Sequence, residues 1–439
     1  MTLDARPAAP ANLLIRGAYV LDPRAGIDAV LDVLVRGGEI AELGSDLTAP
    51  DDVEVVDGEG RHLFPGFVDP HVHLRTPGQE HKETLESGTR AAAAGGYVTV
   101  VAMPNTEPVV DSASVLLSLR EQARREARVP VGFVAAVTRG LGGEALTEMA
   151  ELRDAGALGF TDDGKPVHRA GILRKALQYQ RLAGGVLCLH EEDPTLSGRG
   201  VMHEGAVSAR LGLAGIPSVS ESTLIARDAA LAGYEDGRIH IQHLSARESV
   251  EAVAAAKARG VRITAEASPH HLTLTDQALL EQLDTRLKMN PPLRAEEDRD
   301  ALVTGLREGT IDCIATDHAP HAREEKEVPF EEAPMGTTGL ETAFAALYTE
   351  LVLPGVLPLA LVVDKLSAGA TLLDLPVPAI ERGRPADLCL VDLDAEWEAG
   401  EHGYESRADN CCFAGRTLRG RVVATVAAGA VAYRERVLA

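Results

Sequence analysis

Eight short apolar runs, separated by stretches of helical period, restrict the fold of this chain more than any other feature. The runs are FPGFVDPHVHL, YVTVVAM, VPVGFVAAV, GALGFTDD, GGVLCLHEE, RIHIQHLS, VRITAEASPHH and IDCIATDHAP. Between them lie SASVLLSLREQARREA, GILRKALQYQRLA, SESTLIARDAALAG and ESVEAVAAAKARG, in which apolar residues recur at helical spacing. Strands alternating with helices predict a parallel sheet with helical crossovers. Eight such units predict an α/β fold of the (β/α)8 or TIM-barrel type over residues 64–370.

The flanks have another texture. NLLIRGAYVLDP, AVLDVLVRGGEIAELG and DVEVVDGEGRHLFPG alternate apolar with polar residues, and Gly37-Gly38 and Asp57-Gly58 punctuate them as hairpin turns do. The pattern returns in PADLCLVDLD and RGRVVATVAAGAVAY. Neither end offers many strands alone, so the expectation is a small β-sandwich built from both termini, residues 1–63 and 371–439.

Composition narrows the function classes. The formal charge is −23, a field that repels phosphate backbones and argues against nucleic acid as a partner. No stretch approaches the roughly 18 apolar residues that span a bilayer, and MTLDARPAAPANLLIRG lacks the apolar core of a signal peptide, so a cytoplasmic location without membrane attachment is expected. The five cysteines form no C-x-x-C pair, and Cys188 and Cys313 sit in apolar runs as small core residues.

Most of the runs end in polar groups. The first ends in His71 and His73, the fourth in Asp162 and Asp163, the fifth in His190, the sixth in His243 and the eighth in Asp317. In a barrel all strand C-termini surround one mouth, so these distant residues would meet. His71 and His73 are two apart and face the same side of a strand. Imidazoles with carboxylates suit zinc, which makes water acidic near neutral pH, and an aspartate at the last strand can carry that water's proton to a leaving nitrogen. A single buried histidine is more often a hydrogen-bonded core residue, and an isolated H-x-H is weak evidence. Five ligand-bearing strand ends are hard to explain by packing.

These residues also carry a family resemblance. VDPHVHLR (68–75), NTEP (105–108), GFTDDG (159–164), His190, QHLS (242–245), KMNPPLR (288–294) and ATDHAPH (315–321) occur in an order that resembles the dihydroorotases of the bacterial class I type, within the amidohydrolase superfamily. The resemblance covers about residues 60–345. It implies a metal site of His71, His73, Asp163, His190, His243 and Asp317, holding one or two zinc ions. Asp163 takes the bridging position that a carboxylated lysine fills in many relatives, leaving Asp162 to turn the loop or to support a ligand, and Lys165 outside the metal. Asp317 is the implied proton carrier. Arg75, Asn105, Asn290 and His321, with the backbones of Met335 and Gly336, are the implied substrate contacts, and PMG stands here where relatives commonly read PFG.

The implied reaction is the reversible cyclisation of N-carbamoyl-L-aspartate to dihydroorotate in pyrimidine synthesis. A homodimer, and association with aspartate transcarbamoylase, are further implications. Two rivals stand beside it: a hydantoinase- or allantoinase-like cyclic amidohydrolase, and a non-catalytic dihydroorotase-like partner of aspartate transcarbamoylase. His321 precedes the charged segment AREEKEVPFEEAPMG and is expected to be solvated until a lid closes. His270 and His271 are expected to support the mouth. His240, three residues before His243, is expected to face away from it, and His62, His81, His168, His203, His318 and His402 carry no assigned role.

Overall fold

The computed structural model describes residues 3–435, a mixed α/β chain in which two sheet systems share one helical layer. The N-terminal segment supplies β1 (Leu13–Asp22), β2 (Ile27–Arg36), β3 (Glu39–Gly44), β4 (Glu54–Asp57) and β5 (His62–Pro65). Next come β6 (Phe67–Val72), β7 (Tyr97–Ala102), β8 (Val131–Phe133), β9 (Gly159–Phe160) and β10 (Val186–Leu189). A two-stranded ribbon follows, β11 (Met202–His203) with β12 (Gly215–Ile216). Then come β13 (Arg238–Ile241), β14 (Arg262–Ala267) and β15 (Cys313–Ile314), and lastly β16 (Leu388–Glu398), β17 (Thr417–Ala427) and β18 (Ala430–Arg434).

The eight predicted runs are β6 to β10 and β13 to β15. Their ladders are parallel, in the orders β6-β7-β8 and β9-β10-β13-β14-β15. Two parallel bridges join these sets. Ala135 pairs with Phe160, and Val72 pairs with His318, so the strand order returns to its start. Every residue of β7 and β10 is buried, which is why YVTVVA and VLCL read as unbroken apolar runs instead of alternating ones. The predicted helices lie between the strands, for example Ala113–Glu126, Ala170–Ala183, Val219–Glu235 and Arg247–Ala258.

Both ends of the chain meet in one hydrogen-bonded sheet of order β18-β17-β16-β5-β1-β2-β3, with β4 paired to β1. It has its own core of Leu13, Ile15, Val33, Val35, Ile40, Leu63, Leu388 and Leu390. Phe344 couples it to the ring of strands. Its ring lies 5.6 Å from that of Phe64 in β5 and stacks at 5.7 Å on Phe67 in β6. Each such ring contributes about 1.5–3 kcal/mol by leaving water. The Thr425 hydroxyl adds a hydrogen bond to the Ala93 carbonyl at 2.7 Å. Among the described residues no helix is long and apolar enough to cross a membrane.

Candidate active site

The ligand candidates converge where the ring strands end. His71 lies in β6 and His73 just beyond it, while Asp163, His190, His243 and Asp317 follow β9, β10, β13 and β15. All six are buried. His71 Nε2 stands 3.4 Å from Asp163 Oδ1 and 3.5 Å from Asp317 Oδ1. His73 Nε2 stands 3.4 Å from Asp163 Oδ2 and 3.1 Å from Asp317 Oδ1. On the other side of Asp163, His190 Nδ1 is 3.7 Å and His243 Nε2 3.6 Å from Oδ1. Asp163 is therefore common to two groups whose ligand atoms lie within 4.8 Å of one another, His71–His73–Asp163 and Asp163–His190–His243. Lys165 is exposed and belongs to neither. Asp162 instead accepts from the main-chain nitrogen and hydroxyl of Thr138, which fixes the loop.

The donor set fits a metal ion. Ligands about 2.0–2.1 Å from a tetrahedral zinc are about 3.3 Å apart, close to the separations around His71 and His73. His71 Nε2 is buried and has no hydrogen-bond partner, a state that costs about 1–3 kcal/mol unless something else satisfies the lone pair. Charge is already arranged for a cation. Burial opposes ionisation of Asp163, yet His71, His190 and His243 hold its carboxyl well below the usual range. Burial likewise opposes ionisation of Asp317, and His71 and His73 bring its pKa down to about 2.

Three candidate ligands are held through their second ring nitrogen. His71 Nδ1 meets Glu266 Oε1 at 2.6 Å, His73 Nδ1 meets Asn105 Oδ1 at 2.9 Å, and His190 Nε2 meets Glu192 Oε2 at 3.4 Å. Such partners fix the tautomer and aim the free lone pair at the metal. Backbone strain gathers at the same place. Arg75, His243 and Asp317 have φ of 56°, 32° and 49°, a left-handed conformation that costs an L-residue about 1–2 kcal/mol.

The expected substrate contacts surround this centre in different states. Arg75 is buried, donates Nε to the Pro320 carbonyl at 3.1 Å, and has no carboxylate partner among the described residues. Asn105 accepts from His73, and its amide nitrogen lies 3.4 Å from Asp163 Oδ2. The Asn290 amide donates to Glu192 at 2.6 Å. Asn290 and Met335 line a cleft of about 460 Å³ together with Gly164, Lys165 and Glu192. Gly336 is committed to the protein, donating its N–H to the Lys288 carbonyl at 2.9 Å and accepting from Asn410 at 3.1 Å.

His321 differs from the expectation of a solvated residue. It is buried, its Nε2 lies 2.9 Å from the Met335 carbonyl, and its main-chain nitrogen donates to Asn410 at 3.0 Å. The segment after it is pinned from beneath. Lys288 Nζ donates to the carbonyls of Phe330 and Glu331, and Lys326 Nζ to those of Thr285, Lys288 and Pro334. His240 needs a correction too. β13 stops at Ile241 and His243 has a positive φ, so strand alternation does not carry across to His243. Both histidines touch Glu266, His240 through its ring at 3.0 Å and His243 through its main-chain nitrogen at 3.3 Å.

Glu266, Glu192 and Asn410 were not singled out in the sequence. Glu266 had one signal, an acidic residue between Ala265 and Ala267 at the buried end of β14. A third group at metal-binding distances, His240–Glu266–Cys313, lies deeper. Burial pushes the Cys313 thiol pKa well up, so it stays protonated and is a poor ligand.

With this geometry in place, the chain can be set beside known proteins. The dihydro-orotase-like family matches residues 60–249. The dihydroorotase of Pelotomaculum thermopropionicum is 47% identical over 428 residues, covering 97% of this chain and 100% of the relative. That of Geobacter metallireducens is 44% identical over 424 residues, covering 96% and 100%. The chain belongs to the dihydroorotase family. Among solved structures, L-hydantoinase (dihydropyrimidinase) from Arthrobacter aurescens superposes with a TM-score of 0.85 at 25% identity, covering 98% of each chain. D-hydantoinase from Thermus sp. gives a TM-score of 0.81 at 27% identity, covering 96% of this chain and 95% of that one. The dihydroorotase family thus shares its α/β architecture with the cyclic-amide hydrolases, and the His/Asp groups of this member suit a metal.

Proposed function

We propose that this dihydroorotase family member interconverts N-carbamoyl-L-aspartate and dihydroorotate at a zinc centre held by His71, His73, Asp163, His190, His243 and Asp317. The observation that carries the reading is Asp163, an unmodified carboxylate shared by two histidine pairs, with Arg75 close by and paired to no carboxylate among the described residues. The shared carboxylate favours two ions over one. The ring of eight parallel strands is read as a (β/α)8 barrel spanning 64–370, and the terminal sheet as the sandwich domain of residues 1–63 and 371–439.

Zinc, when bound, supplies a water acidic at neutral pH and polarises the carbonyl under attack. The protein's own groups do the rest. In ring opening, Asp317 takes the proton of the attacking water as the new C–O bond forms, and delivers it to the ring nitrogen as the C–N bond breaks. Despite burial its carboxyl stays ionised, held so by His71 and His73, and so is free to take a proton. Arg75 grips the substrate carboxylate by a two-point contact. Asn105, whose amide nitrogen lies 3.4 Å from Asp163, shares the hold on the substrate carboxylate and so fixes the ring's approach. Asn290 and Met335 bound the cleft, and His321 supports Met335 from behind. Ring closure uses the same groups in reverse.

The test is a comparison of substrates for the purified, zinc-loaded protein. Dihydroorotate should be opened with a higher kcat/KM than hydantoin or allantoin, and carbamoyl-aspartate should cyclise. A preference for hydantoin would replace this reading by the hydantoinase one, and inactivity with bound zinc would favour the non-catalytic partner. A cytoplasmic homodimer is the state in which we place the enzyme, with light scattering, alone and with aspartate transcarbamoylase, as its check.

A further inference from the structure

We infer that Glu266 is a positioning residue of the metal centre, setting the tautomer of His71 and holding the His243 main chain, with His240 as its anchor. The inference rests on the metal reading above and deepens it. Glu266 is 1% exposed, projects from β14, and makes its polar contacts with histidines. Oε1 accepts from His71 Nδ1 at 2.6 Å and from the His243 nitrogen at 3.3 Å, while Oε2 accepts from His240 Nε2 at 3.0 Å. His240 is fixed in turn by Nδ1, 2.9 Å from the Thr264 hydroxyl.

The chemistry of these contacts assigns hydrogen to the ring nitrogens that face Glu266. An ionised carboxylate only accepts hydrogen bonds, so His71 Nδ1 and His240 Nε2 both carry hydrogen. His240 Nδ1 then accepts from Thr264. A metal needs a lone pair, and with hydrogen on Nδ1 the neutral His71 ring offers it at Nε2, the buried atom without a partner that faces Asp163 and Asp317. The opposite tautomer would present an N–H to the metal and lose the ligand. Gln242 lies beside the His71 Nδ1–H but, as an amide donor, makes no hydrogen bond to it and is spent on other partners. Its amide nitrogen is 3.3 Å from His71 Nδ1 and 3.3 Å from Met103 Sδ, and its carbonyl accepts from Thr161 at 2.9 Å. Glu266 thus ties a ligand from β6 to a ligand after β13, so their spacing is set before metal arrives.

Glu266→Gln keeps the size of the side chain but turns one acceptor into a donor, so it cannot receive from both rings. Expected is a loss of about 10- to 100-fold in zinc affinity by chelator competition, with kcat falling and KM for dihydroorotate little changed. The absorption of the cobalt-substituted protein should shift, a signature that mere loosening of the fold does not give. Neutron diffraction from the wild-type zinc protein removes any dependence on the variant's folding. It should show deuterium on His71 Nδ1 and none on Nε2. Deuterium absent from Nδ1 overturns the inference, as does a Glu266→Gln protein with wild-type zinc affinity and cobalt spectrum. A wild-type protein that binds no metal overturns this inference and the metal reading together. Normal wild-type binding with an indifferent variant overturns the inference alone.

Discussion

Arg75 and His73 lie two positions apart but should fail in different ways. Arg75 pairs directly with no carboxylate among the described residues, so Arg75→Ala should lower kcat/KM for dihydroorotate by about 10- to 100-fold while leaving zinc content unchanged. His73 faces both Asp163 and Asp317, and His73→Ala should lose bound metal and turnover together, read by elemental analysis alongside rate. A His73→Ala protein with normal metal and rate would refute the ligand assignment. At this scale the sequence was informative where chemistry coincides with a strand end, as at His71, His73, His190 and His243. It was silent where a residue's meaning comes from a partner far along the chain. Glu266 meets His71 across 195 positions and Glu192 meets Asn290 across 98, distances over which no local pattern operates.

Elements show a similar division. The eight runs were legible because a strand buried on both faces must be apolar throughout. Their lengths were not: GALGFTDD yields only the two residues of β9, because the residues after Phe160 leave the ladder to aim Asp162 and Asp163. The ribbon of β11 and β12 was unforeseen, two residues in each strand and no periodicity to announce it. Arg294 staples it, donating to His203 Nδ1 at 3.2 Å and to the Ile216 carbonyl at 2.8 Å. Burial, and then Arg294, lower the His203 pKa to about 4. The fold therefore favours neutral His203, and its full contribution is present above the unfolded pKa of about 6.5. That contribution drains away as pH falls from about 6.5 towards about 4, because the unfolded chain takes up the proton first. Melting temperatures at pH 7.5 and pH 5 should differ more for the wild type than for His203→Gln; equal losses would show that His203 is not responsible.

Over the whole molecule, a formal charge of −23 surrounds a site that must admit an anionic substrate. Arg75 supplies attraction only at short range, where the approach is already complete. Added salt screens the long-range repulsion, whose reach is about 10 Å at 0.1 M. Hence kcat/KM for carbamoyl-aspartate should rise from low to moderate sodium chloride and then level off, with kcat nearly constant. A steady fall would mean that the local positive field dominates the approach.

Synthesis gives the terminal sheet a further meaning. β5 pairs with β16, so residues 62–65 must await residues 388–391. More than 300 residues separate them, and a ribosome adding about 5–20 per second needs about 15–65 seconds to make that span. In the finished sheet β5 has β1 on one side and β16 on the other, so a β5 that pairs with β1 before β16 is made has an open hydrogen-bonding edge. The last strands of this protein therefore act as a late clasp. Until they emerge, the nascent chain must keep that edge from other strands.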